Sequence, residues 1–298
     1  MPRLVVSIGA SKAGTTTLFE LMRQHPAVAV TAVKETNFFF DDAQYARGFA
    51  WFLATYFPDA AGKEVLFEAD NAYMCSRRCL ERIKACDPSA LILLMLRNPA
   101  ERAFSQWTYH VQLGRSGESF AEAIAGESER IADGDAAVNR WGYVERGRYG
   151  KYIAQLLEVF PREQVCCIVF ERFVADQQAE FARLAEWLGL TPAPVAAAHE
   201  NPTGRPRSTL IARIMYDESL RPLRRALAGP FANSALKRSL VQAIDHLNVV
   251  PYGREERPRL NPLLRARILG DLEADMALAE RLTGLDLSLW RAPSARAA

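Results

Sequence analysis

Excess charge of either sign is missing from this 298-residue sequence: 37 lysines and arginines stand against 35 aspartates and glutamates, a formal net charge of +2. Such a balance gives no bulk attraction to nucleic acid, so any anion site must come from a local cluster. Long apolar runs are missing as well. No stretch approaches the ~18 residues of a membrane span, and the opening "MPRLVVSIGASK" is too weakly apolar for the core of a secretory signal. A cytoplasmic protein with no membrane anchor and no nucleic-acid partner is the expectation. Cysteines are few and odd in number: Cys75, Cys79, Cys86, Cys166 and Cys167. An odd count, with the last pair inside a strand-like run, argues against a disulfide framework. The first three have no histidine nearby and fall in a helical pattern, so free thiols are expected there rather than a metal site. No internal repeat, low-complexity tract or long linker appears.

What is present is an alternation. Apolar runs at residues 5–8, 28–30, 65–68, 90–97 and 165–173 read as strands, and "ALILLMLR" has the unbroken apolar character of a strand covered on both faces. Helical patterns fall between them, the first from about residue 16 to 24, where His25-Pro26 stops it. Strands and helices at this spacing predict an α/β fold: a single domain with a central parallel sheet flanked by helices. The expected domain is 1–291, with an α/β core to about 208, a helical extension over about 209–291, and a flexible tail at 292–298.

Four stretches carry chemistry. "SIGASKAGTTTLFEL", residues 7–21, is a strand-loop-helix turn in which Gly9 and Gly14 permit close backbone approach. Its helix start offers free N–H groups and the dipole to an anion. Ser11, Lys12, Ala13, Gly14, Thr15, Thr16 and Thr17 form this candidate phosphate loop. Its order is unusual, because the common nucleotide loop has lysine after the second glycine and here Lys12 precedes Gly14. "LRNPAERAFSQW" puts Arg97 at a strand's carboxyl end, and Arg102 and Ser105 are expected on one face of the following helix as a fork and a hydroxyl for a phosphate. "ENPTGRPRST" brings Arg205, Arg207 and Ser208 in a glycine-containing loop suited to closing over a phosphate. "VKETNFFF" sets Lys34-Glu35 before an aromatic run; Glu35 is a candidate general base, its alternative being a salt-bridged carboxylate.

Together these motifs resemble the sulfotransferases that use 3′-phosphoadenosine 5′-phosphosulfate (PAPS), in particular the branch with bacterial and heparan-type enzymes. That family has G-x-x-K-x-G-T-T, matched at residues 9–16; K-E-x-x-F-F, at 34–39; R-[ND]-P-x-x-R-x-x-S, at 97–105; and a late G-x-x-R-S-type loop, at 204–208. His25-Pro26, "RYGKYIAQLLEVFP" and "GLDLSLW" also fit, so the resemblance spans nearly the whole chain. It implies that the loop from Ser11 to Thr17 holds the 5′-phosphosulfate, with Lys12 stabilising charge on the bridging oxygen. Arg97 and Ser105 would bind the 3′-phosphate, with Arg205, Arg207 and Ser208 over it. Glu35 would take the acceptor proton, with His110 as reserve base, and Lys34, Glu68 and Tyr73 would serve the acceptor. PAPS would be the donor and 3′-phosphoadenosine 5′-phosphate (PAP) the product, with no metal required and an acceptor bearing a hydroxyl or amine.

One departure stands out. Heparan-type enzymes read E-K-T-P-x-Y where this chain reads "EADNAY", so the lysine position is Ala69. A missing cation there points away from a polyanionic sugar. The competing readings are a P-loop nucleotide kinase, which needs lysine where Thr15 stands, and a catalytically inactive nucleotide-binding protein on the same fold.

Overall fold

The computed structural model describes residues 2–197, 204–208, 249–251 and 258–292. Its frame is a parallel sheet of β1 (Arg3–Ser7), β2 (Val28–Val30), β3 (Val65–Ala69), β4 (Leu91–Leu96) and β5 (Val165–Val169), in the order β2-β3-β1-β4-β5. β1, β3 and β4 are apolar because helices cover both faces; Val5, Val6, Val65, Phe67 and all of Ile92 to Leu96 are buried. The α/β parallel architecture predicted above is what forms.

The helices follow the sequence signals. α1 (Thr15–Gln24) buries Leu18, Phe19, Leu21 and Met22, and ends at His25-Pro26. The aromatic segment after residue 37 feeds α2 (Asp42–Tyr45) and α3 (Phe49–Tyr56), where Phe38 and Phe52 stack at 4.4 Å. α4 (Arg77–Cys86) contains Cys79 and Cys86, while Cys75, expected in the same helical pattern, stands in the turn before its N-cap Ser76. α5 (Pro99–Gln112) starts where Asn98 accepts the N–H groups of Ala100 and Glu101 and Pro99 pre-sets the first turn. Shorter helices α6 (Phe120–Ala125), α7 (Glu127–Arg130) and α8 (Asp135–Trp141) lead to α9 (Tyr149–Val159).

Strand β5 is shorter than expected. The run to Phe173 stays apolar, but the strand stops at Val169 and α10 (Phe170–Ala175) begins at once, followed by α11 (Gln177–Trp187). The reason is tertiary: Phe170 packs under Gly14, and the Glu171 carboxylate accepts the Asn98 N–H at 2.8 Å and the Trp290 indole N–H at 2.9 Å. Further on, β6 (Gly204–Pro206) pairs antiparallel with β7 (Val249–Pro251) and lies against α5. α12 (Pro262–Asp271) and α13 (Glu273–Thr283) pack on the same body. The Asp275 carboxylate accepts the Gly150 and Lys151 N–H groups at the start of α9, and Trp290 is wholly buried with its carbonyl on Asn98 Nδ2. The expected helical stretch at 209–248 and the tail at 293–298 lie outside the described residues.

Candidate active site

All five strands point their carboxyl ends to one edge, where an open α/β sheet binds ligands. Ser7 pairs with Ala69 in register, so the loops after β1 and β3 leave side by side. After β1 the chain runs through Ser11 and Lys12, both half-buried, to Gly14, which has φ 86° and opens α1. A Cβ on Gly14 would come within 2.9 Å of the Phe170 ring, so both conformation and packing require glycine. Ala13, Thr15 and Thr17 are buried and Thr16 is exposed. No acidic residue sits in the first turn of α1, leaving its positive dipole end uncompensated. Lys12 has φ 68°, a left-handed conformation rare outside glycine, and its Nζ lies 4.2 Å from the centroid of the Tyr109 ring on α5.

Arg97 joins this loop directly. Its Nη1 donates to the Lys12 carbonyl at 2.7 Å, and its guanidinium stands 4.7 Å over the Phe170 ring. Ser105 is half-buried on α5, the helix against which β6 runs. Beyond β6, Arg207 is exposed and Ser208 half-buried; the rest of that motif, at 200–203 and 209, lies outside the described residues, as does the side chain of Arg205. Arg102 does not share Ser105's setting. It is wholly buried, donates to Gln106 Oε1 at 2.7 Å and to the Tyr143 carbonyl, and burial pulls its pKa down to about 10. It bolts α5 to the turn at Tyr143, which corrects its expected place beside a phosphate.

On the other side of β1, the loop after β2 folds over the end of β3. The Glu35 N–H donates to the Ala69 carbonyl at 3.0 Å, and Glu35 and Asn37 both take left-handed φ, 61° and 58°. The Glu35 carboxylate is 44% exposed; its Oε1 accepts Lys34 Nζ at 2.8 Å and Asn71 Nδ2 at 2.7 Å. The Lys34 charge holds its pKa below the usual range, against the opposing pull of burial, with Asn71 and Arg146 adding in the same direction. Beneath it, Glu68 and Tyr73 are wholly buried. Glu68 Oε1 accepts the Tyr73 hydroxyl at 2.9 Å and the Thr36 hydroxyl, while its Oε2 has no partner. Burial, with the nearby Asp70 charge, pushes the Glu68 pKa up to about 8. Glu68 and Tyr73 thus buttress the Glu35 loop from below and are wholly buried, unlike the acceptor-facing place the resemblance implied for them.

His110 is also buried, its Nδ1 2.9 Å from the Tyr143 hydroxyl and its ring edge-on to Trp141. Burial first, then the charges of Arg115 and Arg140, pull its pKa down to about 3, so it is uncharged at neutral pH. Three residues not singled out from the sequence also converge on Glu35: Asp70, Asn71 and the buried Arg146. A strand end followed by two consecutive Asx residues was the one local sign of them. Among the described residues, no three His, Cys, Asp or Glu side chains converge to hold a metal ion, and no helix is long and apolar enough to cross a membrane.

A family model described as the sulfotransferase domain matches residues 2–201. Among curated proteins, the mouse heparan sulfate glucosamine 3-O-sulfotransferase 3B1 is 28% identical over 191 residues, covering 64% of this chain and 46% of the relative. The human heparan sulfate glucosamine 3-O-sulfotransferase 6 is 30% identical over 183 residues, 61% of this chain and 51% of the relative. The chain therefore spans about half the length of the curated relatives it matches. Among solved structures, a sulfotransferase from Alicyclobacillus acidocaldarius is similar over 98% of this chain and 99% of its own, with 25% identity and a TM-score of 0.67.

Proposed function

The chain belongs to the sulfotransferase domain family, and we propose that it moves a sulfuryl group from PAPS to a hydroxyl or amine with Glu35 as general base. The observation that carries this reading is a pair of backbone outliers. Lys12 and Glu35, the two groups such a transfer needs, are both held in left-handed conformation, on loops that leave one sheet edge on either side of Gly9 and Ala69. Backbone held there costs on the order of 1–3 kcal/mol and persists where function requires the geometry.

The residues suit a nucleotide with two anionic ends. The first-turn N–H groups of α1, with Gly14, Thr15, Thr16 and Thr17, would hold the 5′-phosphosulfate, with Ser11 and Ala13 shaping the loop. Arg97 and Ser105, joined by Arg205, Arg207 and Ser208, would hold the 3′-phosphate. When bound, PAPS supplies an activated sulfuryl group whose leaving group is PAP. Lys12 would leave the Tyr109 face to neutralise charge on the departing oxygen. Glu35 stays ionised at neutral pH because of Lys34, and its Oε2, which accepts no hydrogen bond among the described residues, is the atom to receive the acceptor proton. Lys34 would keep that carboxylate in place, and His110, neutral and enclosed between Trp141 and Tyr143, would serve no proton transfer. The curated relatives are named for heparan sulfate glucosamine. For this chain, with Ala69 at the lysine position of that branch, a less anionic acceptor is proposed.

Calorimetric titration with PAP and with ATP tests the donor. PAP is expected to bind and to raise the melting temperature; ATP binding with no PAP binding at high micromolar ligand overturns the proposal. Lys12→Ala and Glu35→Gln are each expected to lower sulfuryl transfer roughly 30- to 1000-fold, the scale of one lost charged donor or base, with the circular-dichroism spectrum unchanged. Full activity in Glu35→Gln would overturn the base assignment.

A further inference from the structure

The loop bearing Glu35 takes its shape from the loop after β3 rather than from its own sequence. Asp70 uses both carboxylate oxygens there: Oδ2 accepts the Asn37 N–H at 2.7 Å and Oδ1 the Ala72 N–H at 3.0 Å. One side chain thus ties the base loop, at the second of its two left-handed residues, to the 70–73 turn. The next residue, Asn71, reaches Glu35 itself with Nδ2 2.7 Å from Oε1. Its orientation is not open to exchange, since a carboxylate accepts and never donates, so the amide nitrogen must face it. Arg146 and Asn139 hold the backbone beneath: Arg146 Nη2 donates to the Asn71 carbonyl at 2.6 Å, and Asn139 Nδ2 to the Ala72 carbonyl at 2.9 Å.

We propose that Asp70 and Asn71 are positioning residues for Glu35. Asn71, with Lys34, occupies Oε1 so that only Oε2 can meet the acceptor, and Asp70 fixes the turn that aims it. The proposal rests on Glu35 being the base. It concerns the same three positions, Ala69, Asp70 and Asn71, at which this chain departs from the heparan-type pattern. There the pattern places a cation toward the acceptor, and here an Asx pair serves the base instead. Asn71 acts through its hydrogen bond to Glu35, and Asp70 through its hold on the Asn37 N–H; the groups facing Glu35 are Lys34 on its own loop, Asp70 and Asn71 from the loop after β3, and Arg146 from the turn before α9.

The test is a titration of the Glu35 carboxyl by carbon-13 NMR in glutamate-labelled protein without ligand, the signal assigned by its loss in Glu35→Gln. Asn71→Ala removes a donor to the ionised form, so the Glu35 midpoint should move to higher pH, and Asn71→Asp should move it further in that direction. Asp70, pushed up to about 6 by burial and by the Glu35 charge, is still protonated while Glu35 titrates, so their coupling is read from its side: in aspartate-labelled protein the Asp70 midpoint should fall in Glu35→Gln. Asn98→Ala, a destabilising change away from this loop, should leave both midpoints where they are, which separates these shifts from general loosening. In turnover, misaiming the base by about 1 Å is expected to lower kcat for Asn71→Ala by up to roughly 100-fold with KM for PAPS unchanged. A Glu35 midpoint unmoved in the Asn71 variants, or an Asp70 midpoint unmoved in Glu35→Gln, overturns the proposal. The base reading fails separately, by full turnover in Glu35→Gln whatever the titrations show.

Discussion

Glu68 gives the structure's sharpest energetic test. It is wholly buried, its Oε1 takes two hydroxyls, its Oε2 takes none, and its pKa stands at about 8 against an ordinary 4.5. Between those two values the unfolded chain's Glu68 is ionised while the folded protein keeps it protonated, so folding takes up a proton. The stability that this protonation lends is complete below pH 4.5 and is lost as pH rises through 8. The shift of 3.5 units, at about 1.4 kcal/mol each, sets a scale near 5 kcal/mol, of which about 4 kcal/mol falls between pH 5 and pH 9.

Glu68→Gln isolates this term. The amide keeps the volume and an oxygen for Thr36 and Tyr73, and it does not titrate. Its NH2 takes the place of the unpartnered Oε2 and costs about 1–3 kcal/mol at every pH. Every other group titrates alike in both proteins, so the difference in unfolding free energy should swing toward the variant by about 4 kcal/mol from pH 5 to pH 9. Urea denaturation at unit steps of pH reads it directly. A difference that stays flat would refute the reasoning, since it would mean that Glu68 has the same proton affinity folded and unfolded. A swing toward wild type would mean that Glu68 is ionised and charge-paired.

Two further predictions concern the phosphate edge. Gly14→Ala puts a Cβ into the Phe170 ring at a left-handed φ of 86°. It should lower stability by about 1–3 kcal/mol and weaken PAP binding, and an unchanged melting temperature with intact PAP affinity would contradict the close-approach argument. Asn98→Ala removes the cap of α5 together with the bond to the Trp290 carbonyl. A loss of about 1–2 kcal/mol in chemical denaturation is expected, and no loss would show that Pro99 alone starts the helix.

What was legible in the sequence was local. The apolar runs at 65–68 and 90–97 read as covered strands, the glycines of residues 9–14 as a tight strand-to-helix turn, and Asn98-Pro99 announced a helix start. What was hidden depended on partners far along the chain. The strand at 165 ends four residues early because Phe170 is needed under Gly14 and Glu171 is needed by Asn98 and Trp290. Arg102 and Ser105 lie three apart on one helix, yet Arg102 is claimed by the carbonyl of Tyr143, some forty residues on. Nothing in the helical spacing of α5 distinguishes a buried bolt from a ligand. Asn71 was illegible for the same reason, since its role comes from a carboxylate 36 positions earlier.

The position of Lys12 ahead of Gly14 acquires a physical meaning from the backbone. A lysine after the second glycine would stand on the first turn of α1 and extend along that helix. Lys12 instead leaves the loop before the helix, from a left-handed residue, and its carbonyl is what Arg97 Nη1 holds at 2.7 Å. Turned that way, the side chain crosses toward α5 and comes to rest on Tyr109, on the β4 side of the edge, while Glu35 arrives from β2 over the end of β3. Lys12 and Glu35 thus approach from opposite sides of β1. An in-line transfer needs that division, because the leaving oxygen and the attacking atom lie on opposite sides of the group transferred. A loop with lysine on the helix would put the cation beside the anion; in the proposed transfer, Lys12 would stand instead on the leaving-oxygen side.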